Sequence, residues 1–81
     1  MDANTLARFA AYLGAGLGAG LTMIGGAAGI GRLAAAAMEG MARQPNLAGE
    51  IRIAMIVAAG FIEGIAFFTL IVLILLAVVK P

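Results

Sequence analysis

Two long apolar runs constrain this chain more than any other feature of its sequence. The first, from Phe9 to Gly31, has no charged residue, and the second, from Ile53 to Val79, is interrupted only by Glu63. Each run exceeds the ~20 residues that a helix needs to cross ~30 Å of hydrocarbon. Both runs are therefore predicted to be membrane-spanning helices.

A polar segment between the runs, residues 39–52, indicates a connection that turns the chain back. Within it, Pro45 disfavours helical geometry at the preceding residue, Gln44, so one helix should end there. The prediction is an all-α transmembrane hairpin with antiparallel helices. It forms a single membrane domain over residues 1–81, with helices at 4–42 and 47–79 and a turn at 43–46.

Composition indicates the bilayer as solvent and excludes several classes of function. Hydrophobic residues make up 64% of the 81 residues, charged residues 11%, and the mean hydropathy is +1.14, unlike a soluble domain. A net charge of +1 without a basic cluster argues against a nucleic-acid partner. The chain has no cysteine and no histidine, which removes disulfides, zinc sites and histidine acid–base chemistry. Catalysis, a cofactor and a bound metal are not expected.

A secretory signal peptide is the simplest alternative for the first run. Arg8 would be its charged region and residues 34–37 its cleavage site. The apolar stretch is too long for such a segment, and Asp2 adds an acidic residue to the charged region. A membrane helix is the better interpretation.

The two predicted helices differ in bulk, because eight of the twelve glycines lie in the apolar run of the first, residues 9–31. Glycine lets helix backbones approach closely in membranes. Three pairs have the favourable four-residue spacing: Gly14 with Gly18, Gly16 with Gly20, and Gly25 with Gly29. The second helix carries large side chains after Gly64, which suit lipid. Such wedges placed side by side would close into a homo-oligomeric ring of two concentric helix layers. A hairpin that pairs only with itself or with another protein is the alternative.

Glu63 is the one ionisable residue of the second run, with ten uncharged residues before it and sixteen after. An ionised carboxylate there costs on the order of 3 kcal/mol, and intramembrane acids usually serve transport or proton relay. The neutral acid is the expected resting form. Gly60 and Gly64 would let a neighbouring backbone approach it. The pattern predicts Glu63 as a proton carrier.

A structural ion pair between Glu63 and Arg32 is the competing hypothesis. Ile30 lies thirteen residues before Arg43, and Glu63 lies twenty after it, at comparable depths once the turn is subtracted. Arg32 is roughly 200° around the helix from Ile30, so both cannot face the second helix. With Ile30 facing Glu63, Arg32 is predicted to point into the ring lumen, towards lipid phosphates or water.

Nearly the whole chain resembles the c subunit of rotary ATP synthases, the proteolipid of their membrane sector. The resemblance rests on Gly25, Ala27, Gly29 and Gly31, on the turn residues Arg43, Gln44 and Pro45, and on Glu63 twenty residues beyond that arginine. It implies a rotor ring with first helices inside. Glu63 would be neutral in lipid, release its proton beside an arginine of the stator a subunit, and reload from another half-channel. Rotation would drive ATP synthesis or be driven by hydrolysis.

The resemblance also implies partners and a location. The turn, with Arg43, Gln44 and Pro45, would contact the central stalk on the cytoplasmic side of a bacterial plasma membrane. Two departures are the additional glycine run 14–20 and the charge at Arg32. A non-motor pore or holin-like hairpin is the alternative function, but it would need a continuous polar lining. A membrane adaptor in which Glu63 only pins a partner helix is a third.

Resemblance to sodium-carrying c subunits indicates which ion is carried. Their ligands beside the glutamate are a polar side chain, a hydroxyl and a backbone carbonyl, at positions that here are Ile30, Gly64 and Phe61. A bracing tyrosine is replaced by Phe68. Hard cations need several oxygen ligands, and only the Phe61 carbonyl remains. A proton needs one acceptor, so proton coupling is predicted, with the Phe61 carbonyl or a water near it as that acceptor.

Overall fold

The computed structural model describes residues 2–79 as an antiparallel hairpin of two long helices. Helix α1 spans Ala3–Arg43, a 3₁₀ turn spans Pro45–Leu47, and helix α2 spans Ala48–Val78. Each helix end lies one residue from its predicted boundary; residues 1, 80 and 81 of the predicted domain lie outside the described residues. The hairpin extends 64 Å along its axis, and both helices are long and apolar enough to cross a membrane. The predicted all-α transmembrane hairpin is confirmed.

Local hydrogen bonds define where α1 starts and stops. The Asp2 carboxylate accepts a hydrogen bond from the Thr5 backbone N–H at 2.7 Å, as a helix N-cap does, and this bond lowers the pKa of Asp2. At the other end, the Gln44 N–H donates to the Gly40 carbonyl at 2.9 Å. Gln44 then leaves helical geometry before Pro45, which opens the 3₁₀ turn where its missing N–H costs nothing.

Close contacts between the helices fix their register. A Cβ atom built on a glycine of α1 would meet an α2 side chain in four places: Gly18 with Leu73, Gly26 with Ala66, Gly29 with Ile62, and Gly40 with Ile51. The two residue numbers add to 91 in three of these pairs and to 92 in the pair of Gly26 with Ala66, so residues whose numbers add to about 91 lie at one level. Glu63 therefore lies level with Ala28. The sequence-based estimate, which placed Ile30 at that level, is displaced by two residues, or about 3 Å.

Positions turned towards the opposite helix recur every eleven residues. On α1 the positions that are at least partly buried include three such series: 7, 18, 29 and 40; 11, 22 and 33; and 15, 26 and 37. On α2 the corresponding series are 51, 62 and 73; 55, 66 and 77; and 58 and 69. An eleven-residue recurrence corresponds to about 3.67 residues per turn and is the signature of a right-handed supercoil.

Little of the hairpin is buried within one chain. Among residues 2–79 only Ala37 is buried, with 7% of its surface exposed, whereas Phe61 is 71% exposed. Two polar side chains, Thr22 and Thr69, lie level with each other. Their hydroxyls donate to the carbonyls of Gly18 at 2.8 Å and Ile65 at 2.9 Å, which satisfies them inside their own helices. The remaining apolar surface needs lipid or other copies of the chain to cover it.

Gly18 gives a test of this helix packing. A Cβ atom there would lie 3.0 Å from Cδ2 of Leu73, so Gly18→Val should force the helices apart. We expect a loss of about 1–3 kcal/mol, measured as a lower midpoint of thermal unfolding in detergent. Leu73→Ala in the same chain should restore part of the loss.

Gly49→Val is the matched control, because a Cβ atom at Gly49 would meet nothing within 4 Å. An unchanged unfolding midpoint for Gly18→Val would contradict the packing described here.

Candidate functional site

Glu63 lies on the surface of the hairpin and not between its helices. Within residues 2–79 its side chain forms no hydrogen bond or ion pair. The glycines beside it, Gly60 and Gly64, are open, since a Cβ atom built on either would meet nothing within 4 Å. The carboxyl is therefore accessible to whatever packs against this side of α2.

An apolar groove of about 390 Å³ identifies the side of the hairpin on which Glu63 lies. Its lining includes Gly16 and Ala19 of α1 and Ile74 of α2. Ile74 is eleven residues after Glu63, and Ile30 is eleven residues after Ala19, so the recurrence aligns each pair along one line. Glu63 and Ile30 therefore share one lateral surface. We call this surface the acid flank; it comprises Gly16, Ala19, Ala27, Ile30, Glu63, Leu70 and Ile74.

The aromatic residues of the predicted site lie on the other lateral surface. A second groove, of about 500 Å³, is lined by residues that include Val72, Leu76 and Val79. Phe61 and Phe68 are eleven residues before Val72 and Val79, so they belong to that surface. We call it the aromatic flank; it comprises Phe61, Ile65, Phe68, Val72, Leu76 and Val79.

One chain therefore does not assemble all the predicted site residues around the carboxyl. Ile30 shares the acid flank with Glu63, and Gly64 opens outwards beside it. The side chains of Phe61 and Phe68, 71% and 69% exposed, lie on the opposite flank. In copies placed side by side, those rings would meet the Glu63 of the adjacent chain.

Arg32 does not pair with Glu63 inside the hairpin. It is exposed, it lies level with Ala59, and its position roughly 200° from Ile30 places it away from the acid flank. The intramolecular ion pair is therefore wrong for this chain. Whether Arg32 faces a lumen stays a prediction at this point.

The glycines of α1 divide between two kinds of contact. Within the hairpin, Gly29 approaches Ile62 and Gly26 approaches Ala66, with Cβ distances of 3.7 and 3.8 Å. The open glycines, where a Cβ atom would meet nothing within 4 Å, are Gly14, Gly16, Gly20, Gly25 and Gly31. Of the predicted ring-packing residues, Gly25, Ala27 and Gly31 are exposed to a neighbour, but Gly29 is turned towards its own α2.

The additional glycine run has a similar double role. Gly18 provides the space for Leu73, whereas Gly16 lines the groove on the acid flank. At the far end of the hairpin, the turn residues Arg43, Gln44 and Pro45 are all exposed and accessible to a partner.

Comparison with known proteins relates this geometry to one family. Residues 13–76 match the family described as the ATP synthase C subunit. The chain is 45% identical over 75 residues to the ATP synthase c subunit of Bacteroides thetaiotaomicron, covering 93% of the chain and 88% of the relative. For the c subunit of Phocaeicola vulgatus the identity is 49% over 63 residues, with 78% and 75% covered. For the chloroplastic c subunit of Emiliania huxleyi it is 37% over 78 residues, with 96% and 95% covered.

The division of the glycines predicts different defects for two neighbouring substitutions. Gly25→Leu should block association between copies and leave the hairpin folded, because the added side chain lies on an open surface. Gly29→Leu should disrupt the hairpin itself, because the side chain meets Ile62. Native mass spectrometry should report the oligomer, and circular dichroism during heating should report the hairpin.

Ile62→Ala should rescue Gly29→Leu and leave the Gly25→Leu defect unchanged. Oligomers of normal mass from Gly25→Leu would contradict the assignment of Gly25 to contacts between copies.

Proposed function

The chain belongs to the ATP synthase C subunit family and is a c subunit of a rotary ATP synthase, and we propose that it carries protons on Glu63. The proposal depends on one observation: a single carboxyl stands on an otherwise uncharged stretch of α2, exposed on a lateral surface between two open glycines. The family assignment rejects the pore and adaptor alternatives. The chain is membrane-embedded and works as a non-catalytic part of the ATP synthase complex.

Alternation between neutral and charged Glu63 gives the transport step. While α2 faces lipid, the carboxyl holds its proton, because an ionised acid in hydrocarbon costs on the order of 3 kcal/mol. A positive group of the stator a subunit stabilises the carboxylate and lets the proton leave. The carboxyl is protonated again from the other side of the membrane before it re-enters lipid. Each charge moved contributes about 2.3 kcal/mol per 100 mV, and several protons per turn supply the work of ATP synthesis.

The surroundings of Glu63 favour a proton over a metal ion. Ile30, Gly64 and Phe68 contribute no side-chain oxygen, which leaves the Phe61 carbonyl as the acceptor. A sodium ion with so few oxygens would be poorly coordinated. A protonated carboxyl needs only one acceptor, and a water near the Phe61 carbonyl serves equally well.

The exposed turn supports a partner outside the membrane. Arg43, Gln44 and Pro45 stand at the tip of the hairpin, at the end opposite Asp2 and Val79. We assign them to contact with the central stalk, on the cytoplasmic side of a bacterial plasma membrane. The bacterial relatives support this location.

Replacement of the carboxyl tests the carrier. Glu63→Gln keeps the side-chain shape but cannot release a proton, so ATP-driven proton pumping by the complete synthase in inverted vesicles should fall to background. The ring should retain its mass. Glu50→Gln is the matched control, because Glu50 lies in the first turn of α2, outside the apolar run, and should pump normally. Pumping by Glu63→Gln would refute the site.

Carbodiimide labelling tests the ion separately. A hydrophobic carbodiimide modifies protonated, lipid-accessible carboxyls, so intact rings should be labelled at Glu63 only. Peptide mass spectrometry locates the adduct. Millimolar sodium at neutral pH should leave the labelling rate unchanged. Protection by sodium would overturn proton coupling while leaving Glu63 as the ion-binding residue.

A further inference from the structure

The register of the hairpin limits where the hydrocarbon layer can lie. Taken alone, the charge-free run of α1 and the apolar run of α2 are each longer than a bilayer core. When the helices are aligned by the contacts described above, residues of the first apolar run, 9–31, lie level with residues of the second, 53–79, only over 12–31 and 60–79. This shared span is twenty residues, or about 30 Å, the thickness of the hydrocarbon. Glu63 is its one acidic or basic residue.

Two interface residues mark the ends of this span on α1. Tyr12, 59% exposed, lies level with Val79, the last residue of the second apolar run, and tyrosine is enriched where hydrocarbon meets headgroups. Arg32 is exposed and is the first charge beyond the span on the turn side. The two residues are twenty positions apart, which again corresponds to about 30 Å.

Arg32 has no anionic partner of its own within residues 2–79. Glu63 lies on the acid flank, away from Arg32, and Glu39 is seven residues, or about 10 Å, further towards the turn. The residues one turn before and after Arg32 are small, so nothing on its own helix covers the guanidinium; they are Ala28, Gly29, Ala35 and Ala36. Arginine stays charged, and its planar donors match phosphate oxygens.

We infer that Arg32 binds the phosphate of an anionic phospholipid at the turn-side surface of the membrane, with the hydrocarbon lying between Tyr12 and Arg32. In a ring with first helices inside, this lipid lies in the lumen. Residues 33–43 then carry the turn about 16 Å beyond the hydrocarbon. Glu63 lies only three residues inside the turn-side boundary, closer to the turn side than its central place in the second apolar run indicates. The inference does not depend on which ion Glu63 carries.

Lipid retention by purified rings tests the binding site. Rings extracted in mild detergent should keep phosphatidylglycerol, counted by native mass spectrometry and lipid extraction. Arg32→Gln should reduce the retained anionic lipid about fivefold, and Arg32→Lys should keep most of it. Arg52→Gln removes an equal charge about 10 Å outside the boundary and should change nothing. Equal lipid in the Arg32→Gln ring, or an equal loss in the Arg52→Gln ring, would overturn the proposal.

Two further arms separate the lipid from a free anion and do not depend on the Arg32 variants. Delipidated rings offered inorganic phosphate should bind it far more weakly than phosphatidylglycerol; equal binding would make the site a free-phosphate site. The chain has no cysteine, so a spin label can be placed at Leu21→Cys or Ala36→Cys. The label at position 36 should be accessible to an aqueous relaxation agent and that at position 21, which lies within the span on an exposed residue, to oxygen alone. A label at position 36 inside the hydrocarbon would refute the boundary.

Discussion

The close approach of α1 and α2 at small residues determines which residues of the two helices lie at the same depth. Gly18, Gly29 and Gly40 let α2 side chains come within van der Waals distance of the α1 backbone, and these contacts share one register. That register decides which residue lies opposite Glu63 and where both helices are free of charge together. A shift of one helical turn would move the carboxyl by about 5 Å relative to α1. The depth of Glu63 is therefore a property of the glycine contacts as much as of α2.

The hairpin gains little from its own core, and its stability must come from assembly. With Ala37 as the one buried residue among 2–79, most apolar side chains still face outwards. In lipid this exposure carries no hydrophobic penalty, so close packing and satisfied backbone groups decide what associates. The glycine-rich α1 supplies two such surfaces, one for its own α2 and one for neighbouring copies. This accounts for a glycine content that a single helix pair does not need.

Much of the fold follows from the sequence, since run length and one X-Pro step determine two spanning helices and a turn. The direction in which each residue faces does not follow from the sequence in the same way. The four-residue glycine pairs predict that both members lie at one interface, but Gly25 is exposed and Gly29 meets Ile62. Residues four apart differ by about 40° around the helix, and the edge of the contact with α2 falls between these two. The depth predicted for Ile30 differs from the observed one by two residues, because the number of residues in the turn depends on its 3₁₀ geometry. The pairing of Ile30 with Glu63 on one side did follow from helical spacing, and so did the separation of Arg32 from them.

The arrangement of the two flanks links the proposed proton site to ring closure. Each hairpin presents its carboxyl on the acid flank, and Phe61 and Phe68 on the aromatic flank. Copies related by rotation about a common axis bring the acid flank of one chain against the aromatic flank of the next. The carboxyl then gains an apolar wall that its own chain cannot provide, because those rings lie on the wrong side of α2. Apolar surroundings raise the cost of the charged form, so assembly itself favours the neutral carboxyl that can travel through lipid. In this geometry an isolated hairpin has the proposed carrier, Glu63, but not the complete surroundings of its carboxyl.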